Sequence, residues 1–79
     1  MSVTTEPEKT IDLRGTPCPL NWVKSKLRLE EMQPGKVLEV ILDAGAPARN
    51  VPRSAEMEGH KVLKIVPGAD GVHVLIMKY

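Results

Sequence analysis

Proline and glycine divide the chain into short segments, and this division constrains the fold more than any other feature of the sequence. The breaks fall at Gly15-Thr16-Pro17, Pro34-Gly35, Asp43–Pro47, Gly59 and Pro67–Gly71. Each segment between two breaks has room for one helix or one strand. A chain of 79 residues cut in this way predicts one small domain.

The pattern within the segments predicts six elements in the order β-α-β-α-β-β. Strands are predicted over Thr10–Arg14, Lys36–Asp43, His60–Val66 and Val72–Tyr79, from alternation and from the flanking breaks. Helices are predicted over Pro19–Met32 and Arg49–Glu58, with Pro52 near the first turn of the second helix. The polar segment Met1–Lys9 is predicted to be a disordered tail, which leaves residues 10–79 as the domain.

The order of the elements predicts the fold class. A helix between two strands favours a parallel crossover pair, whereas the last two strands favour an antiparallel hairpin. Two helices can cover only one face of a four-stranded sheet. We therefore predict an α+β fold: a two-layer α/β sandwich, βαβαββ, with a four-stranded mixed sheet and both helices on one face.

The first predicted helix has apolar residues on two sides. Trp22, Leu29 and Met32 fall on one side, and Leu20, Val23 and Leu27 fall on nearly the opposite side. A helix in a two-layer sandwich needs only one apolar stripe. The second stripe is either covered by another element or exposed as a surface for a partner, and the sequence leaves both open.

Composition argues against several classes of function. Eleven basic and ten acidic residues give a net charge of +1, and the only aromatic residues are Trp22 and Tyr79. Both facts disfavour direct nucleic-acid binding. His60 and His73 lie on separate predicted strands, so we expect no metal site and no cofactor. No secretory signal and no apolar run of about 20 residues is present, which predicts a cytoplasmic protein without a membrane span.

The single cysteine, Cys18, lies in the segment Gly15-Thr16-Pro17-Cys18-Pro19-Leu20-Asn21. A residue before proline is pushed toward extended backbone, so Cys18 is predicted to cap the first helix and Pro19 to be its first residue. The helix start formed by Pro19, Leu20 and Asn21 would favour a thiolate or a persulfide, because free N–H groups and the positive end of the helix dipole lie there. The alternative is that Cys18 is a buried apolar side chain.

Three cations are candidates for contacts with a partner or with a persulfide. Lys24 lies further along the first helix, and Arg49 and Arg53 lie at the start of the second. Each could act in this way if it lies close to Cys18. Each could equally belong to a solvated helix face.

These residues resemble the TusA/SirA/YedF family of sulfur carriers. The resemblance rests on Leu13, Gly15, Cys18-Pro19, Met32–Gly35, Leu38–Val40, Asp43, Val51-Pro52 and Gly59-His60, and it covers Ile11–Tyr79. It implies the family's βαβαββ fold. It also implies that Cys18 is the catalytic residue, which accepts sulfane sulfur from a cysteine desulfurase or a rhodanese and relays it to an acceptor protein.

One position departs from the family's motif. The usual Cys-Pro-x-Pro reads Cys18-Pro19-Leu20-Asn21 here, so Asn21 restores a backbone N–H that could bond to the side chain or carbonyl of Cys18. We expect the helix start to survive. The resemblance implies a sulfurtransferase-type carrier rather than an enzyme that turns over a small molecule. We expect a monomer or a weak dimer, with Val37, Ile41 and the open sheet face as the surface that could support a dimer. Two alternatives stay open: a regulatory module that binds nucleic acid or protein, and a structural subunit in which Cys18 is silent.

Overall fold

The computed structural model describes residues 7–17 and 19–79. Its elements are β1 (Lys9–Asp12), α1 (Leu20–Glu30), β2 (Val37–Leu42), α2 (Ala46–Met57), β3 (Lys61–Gly68) and β4 (Gly71–Met77). The strands form one sheet in the order β1-β2-β4-β3, with β1 parallel to β2 and β4 antiparallel to both of its neighbours. The predicted α+β sandwich with a mixed sheet is therefore confirmed.

The core lies between the two helices and one face of the sheet. Alternate residues of the two central strands point into it, as the pleat of a strand requires. The fully buried members are Leu38, Val40 and Leu42 of β2, Val74 and Ile76 of β4, Leu29 of α1, and Val51 and Ala55 of α2. The intervening strand residues, such as Glu39 and His73, are only partly buried, since no element covers the other face of the sheet in the described part of the chain.

Both helices begin at positions other than those predicted. α1 begins at Leu20, so Pro19 is the cap residue and not the first helical residue; its carbonyl accepts the N–H of Val23 at 3.1 Å. α2 begins at Ala46, because Pro47 fits the first turn of a helix, where its missing N–H costs nothing. Consequently Pro52 lies inside α2 and not in its first turn.

The predicted tail extended too far. Lys9 is the first residue of β1, and the N–H of Glu8 already donates to the carbonyl of Val37 at 2.7 Å. The backbone of Glu8 and Lys9 is ordered because it pairs with the edge of β2, and the polar composition of the segment does not predict this pairing. Residues 1–6 of the predicted tail lie outside the described residues.

The topology brings both helix starts to one end of the sheet. β1 and β2 are parallel and each is followed by a helix, so α1 and α2 begin at the same end. The turn of the β3–β4 hairpin lies there too, because Val72 pairs with Leu42 at the end of β2. We call this region, which comprises the C-terminal ends of β1 and β2 and the first turns of α1 and α2, the helix-start end.

Candidate functional site

Cys18 lies outside the described residues, so its role as the catalytic residue stays a prediction. Its chain neighbours Pro17 and Pro19 are both exposed. They lie between β1 and α1, at the helix-start end. The candidate site is therefore built from the described residues around this segment.

Backbone hydrogen bonds hold the segment that leads to Pro17. The N–H of Gly15 donates to Oδ2 of Asp43 at 2.6 Å, which joins this segment to the loop before α2. The N–H of Thr16 donates to the carbonyl of Leu13 at 3.1 Å. Gly15 has a φ of +79°, a left-handed conformation that glycine adopts without strain. The turn after β1 is thus fixed to Leu13 on its own side and to Asp43, the residue that follows β2.

Asn21 forms the first turn of α1 through its backbone. Its N–H donates to the carbonyl of Pro17 at 3.2 Å, and its carbonyl accepts the hydroxyl of Ser25 at 2.9 Å. The expected partner of this N–H was Cys18; among the described residues the partner is Pro17. A proline at position 21 could not make this bond, because it has no N–H.

The side chain of Asn21 is fully buried, which the sequence analysis did not foresee. Its Oδ1 accepts the N–H of Trp22 at 2.7 Å, whereas its Nδ2 has no hydrogen-bond partner among the described residues. A buried donor without a partner costs about 1–3 kcal/mol. The available signal was the spacing of Asn21, Ser25 and Leu29, four residues apart, which places all three on one face.

The other predicted helix-start residues are exposed. Pro19 is exposed, and half of the side chain of Leu20 is accessible. Leu20 begins the second apolar stripe of α1, in which Leu20 is 50%, Val23 43% and Leu27 54% exposed. The stripe is therefore a surface in the described part of the protein.

The three predicted cations are exposed, and none of them forms an ion pair with another described residue. Lys24 lies in the first half of α1. Arg49 lies in the first turn of α2, and Arg53 one turn further on. The seven ion pairs of the described residues involve other cations. Arg49 therefore lies at the helix-start end, and Arg53 lies one turn beyond it along α2.

The acidic residues at the helix-start end are already engaged. Oδ2 of Asp12 lies 2.7 Å from Nη2 of Arg14, and the hydrogen bonds from the side chain and the backbone of Arg14 lower the pKa of Asp12 to about 2. Nη1 of Arg14 also donates to the carbonyl of Asp70 at 3.0 Å. Asp43 accepts the N–H of Gly15. Among the described residues Asp43 has no ion-pair partner, so this end carries one unpaired carboxylate besides the unpaired cation Arg49 and, just beyond the first turns of the helices, Lys24 and Arg53.

A second group of polar residues lies on the open face of the sheet. Nδ1 of His73 lies 2.6 Å from Oε2 of Glu39, and the hydroxyl of Thr10 donates to Oε1 of Glu39 at 3.0 Å. The hydrogen bond to Glu39 raises the pKa of His73. Glu39 and His73 border a depression of about 370 Å³. No three potential ligands among residues 7–17 and 19–79 are arranged to hold a metal ion.

Comparison with known proteins identifies the family. The family model described as "Sulfurtransferase TusA" matches residues 9–78. The chain therefore belongs to the TusA family. No helix in the described ranges is both long and apolar enough to cross a membrane.

Individual relatives agree with this assignment. A "Putative sulfur carrier protein" of Archaeoglobus fulgidus is 47% identical over 60 residues, which is 76% of this chain and 68% of the relative. The "Putative sulfur carrier protein YedF" of Escherichia coli is 31% identical over 72 residues, or 91% of this chain and 94% of the relative. The crystal structure of a SirA-like protein from Desulfitobacterium hafniense superposes with a TM-score of 0.73 at 27% identity, covering 87% and 93% of the two chains.

Proposed function

We propose that this protein carries sulfur as a persulfide on Cys18, which it receives from a donor protein and passes to an acceptor protein. The proposal is supported by membership of the TusA family and by relatives that are named as sulfur carriers. The observation that carries it is electrostatic. Near the end of the molecule at which Pro17 and Pro19 lie, Lys24, Arg49 and Arg53 have no ion-pair partner among the described residues; of the acidic residues there, Asp12 and Asp70 lie beside Arg14, whereas Asp43 has no cationic partner.

The charge pattern of the helices runs against their own stability. Acidic residues normally stabilise a helix N-terminus, yet neither α1 nor α2 has one in its first turn. The acidic residues lie instead at the C-terminal ends, at Glu30 and Glu31 in one helix and at Glu56 and Glu58 in the other. Two positive dipole ends and the cations Lys24, Arg49 and Arg53 therefore favour an anion at the helix-start end.

The proposed reaction is a thiol–persulfide exchange. The Cys18 thiolate attacks the terminal sulfur of a donor persulfide, a new S–S bond forms on Cys18, and the S–S bond of the donor breaks. The electron pair of the broken bond leaves with the donor cysteine as a thiolate, and the proton of the persulfide moves with the transferred sulfur. No external oxidant or reductant is consumed, so the protein acts as a sulfurtransferase-type carrier with no cofactor.

Each predicted site residue has a role in this proposal. Pro19, Leu20 and Asn21 form the helix start whose positive dipole end favours the sulfur anion. Lys24, Arg49 and Arg53 attract an acidic partner. The carrier domain begins at Lys9, the first residue of β1, and runs to Tyr79, and its place is the cytoplasm, where a free thiol persists.

The test is an intact mass spectrum of the full chain after incubation with a cysteine desulfurase and cysteine, without reductant. A rhodanese with thiosulfate serves as a second donor. Wild type is compared with Cys18→Ser, which keeps the size of the side chain but not its nucleophile. We expect wild type alone to gain the mass of one sulfur atom and to lose it again with reductant. If Cys18→Ser gains sulfur equally, or if wild type gains none from any donor, including inorganic polysulfide, the carrier function is wrong.

A further inference from the structure

We infer that the exposed stripe of α1 and the groove beside it form the surface on which the protein that donates sulfur docks, and that this donor presents an apolar surface with an acidic rim. We call this surface the α1 docking face; it consists of Leu20, Val23, Leu27, Lys24 and Arg28 of α1, with the groove between α1 and β1. The inference rests on the proposed function, since it assigns a partner to the proposed carrier.

The apolar residues of this face are placed where the fold makes no use of them. Leu20, Val23 and Leu27 recur at the spacing of one helix face, opposite the buried face of Asn21, Ser25 and Leu29. Their exposed fractions lie between 43% and 54%. Isolated exposed apolar residues are common. Three on the same face of one helix form a continuous patch, and such patches mark interaction sites.

The patch continues into a groove that can receive a side chain. A groove of about 310 Å³ runs between α1 and the edge strand β1, with apolar walls from Ile11, Leu13 and Leu27. Lys24 and Arg28 stand at its rim together with Asp12. Because Asp12 is held by Arg14, the rim charge available to a partner is positive.

The charges along α1 define which partner surface fits. Nζ of Lys26 lies 3.7 Å from Oε1 of Glu58, and Nη1 of Arg28 lies 3.4 Å from Oε1 of Glu31. The positive charge of each is therefore partly paired within the chain. Lys24 has no ion-pair partner among the described residues and lies between Leu20 and Leu27 along the helix. A carboxylate on the partner, next to an apolar side chain that enters the groove, would complement it.

A docking surface outside the reacting atoms would help the exchange by holding donor and carrier together. The Cys18 thiolate must stay beside the terminal sulfur of the donor persulfide until the new S–S bond has formed. Apolar contact beside the reacting pair holds the two proteins in place without competing for the sulfur atoms. The stripe begins two residues after Cys18 in the sequence, which makes it adjacent to the proposed site along the chain.

The test measures the rate at which the full chain is loaded with sulfur by two kinds of donor. The protein donors are a cysteine desulfurase with cysteine and a rhodanese with thiosulfate, and the small donor is inorganic polysulfide. The variants are Val23→Glu and Leu27→Glu. The matched control is Ile65→Glu, which changes a residue that is 49% exposed on β3, the strand at the opposite edge of the sheet from β1. Circular dichroism and size-exclusion chromatography establish that each variant is folded and report its oligomeric state.

We expect loading by the protein donor that loads wild type to fall on the order of 10-fold in Val23→Glu and Leu27→Glu, the factor that corresponds to losing about 1.4 kcal/mol of binding. Loading by polysulfide should stay unchanged in both variants, and Ile65→Glu should behave as wild type with every donor. Raising the salt concentration should slow loading of wild type by the protein donor, because the rim contact is electrostatic.

Three outcomes would overturn the inference. The first is that the protein donor loads the variants as fast as wild type. The second is that polysulfide loads wild type but neither protein does. The third is that wild type is a dimer that Leu27→Glu dissociates, in which case a second copy of the chain covers the stripe. Failure of the carrier function itself looks different, since wild type would then gain sulfur from no donor, polysulfide included.

Discussion

Asn21 occupies the position at which the family's motif usually carries a second proline, and the structure gives a physical account of how the helix start tolerates it. The N–H that proline lacks is used by the carbonyl of Pro17, at 3.2 Å. The added amide side chain is less well accommodated, because its Nδ2 is buried without a partner in the described part of the chain. The exchange thus adds one backbone bond and leaves one side-chain donor unsatisfied.

His73 and His60 are two histidines with opposite surroundings. The hydrogen bond to Glu39 raises the pKa of His73, whereas burial, with Lys78 nearby, lowers the pKa of His60. A histidine whose pKa is raised on folding stabilises the protein in its protonated form. Its contribution is complete below its unfolded value of 6.5 and is lost as the pH rises through the higher value of the folded state.

We therefore expect Glu39→Gln to lower the free energy of unfolding more at about pH 6 than at about pH 9, because only the protonated histidine forms a charged pair with Glu39. Urea denaturation of wild type and variant at both pH values measures this difference. Titration by NMR gives the matched control within one molecule, with a midpoint for His73 above 6.5 and one for His60 below it. A midpoint for His73 below that of His60 would contradict the assigned hydrogen bond.

At the scale of the elements, the two helices share a direction and a charge order. Both begin at the helix-start end because the strands before them are parallel. Neither has an acidic residue in its first turn and both have acidic residues at their C-terminal ends, while α1 also has Arg28 in its last turn. Since this order opposes the helix dipole, it does not serve helix stability. The positive end is best explained by the anion that we propose is carried there.

We expect Arg49→Ala combined with Arg53→Ala to slow the loading of Cys18 by a protein donor by about 2- to 10-fold at low salt, with a smaller effect at high salt. The reason is a weaker attraction between the helix-start end and an acidic donor. Loading is followed by intact mass, and stability by thermal denaturation, which should change little because both residues are exposed.

The matched control is Lys61→Ala with Lys64→Ala, which removes the same charge from exposed positions on β3. If this control slows loading as much as the arginine pair does, the effect is one of net charge and not of the helix-start end. Equal rates for wild type and the arginine variant would remove Arg49 and Arg53 from the site.

At the scale of the whole molecule, stability depends on a thin core. A domain of this size buries only about 60% of the surface that its unfolded chain exposes. Two central strands supply most of the fully buried apolar side chains, and Leu38 lies among them, with no exposed surface. The exposed stripe of α1 contributes little to this core, so its residues can change without loss of the fold.

We expect Leu38→Ala to lower the free energy of unfolding by about 2–5 kcal/mol, because it leaves a cavity between the sheet and the helices. Leu27→Ala removes the same atoms from a residue that is 54% exposed and should cost less than about 1 kcal/mol. Chemical denaturation followed by circular dichroism measures both. A loss for Leu27→Ala as large as that for Leu38→Ala would show that the stripe is buried in solution.

The number, type and order of the elements follow from local patterns in the sequence. Turn residues and periodicity are local properties, so Pro34-Gly35 ends α1 and alternation marks β2 without reference to the rest of the chain. The crossover rule then predicted the parallel pair of β1 and β2, whereas the position of the second helix start relative to the first was left open. The family followed from motifs that are likewise local.

Which surfaces are buried and which are exposed depends on how the helices pack against the sheet. Periodicity gave α1 two apolar sides, and the choice of the buried side depends on the sheet that packs against it. The same holds for Asn21, a polar residue that is buried because it shares a face with Leu29, and for Pro52, which a helix interior tolerates when the core packs around it. Burial is a relation between distant segments, and for this reason a local pattern cannot determine it.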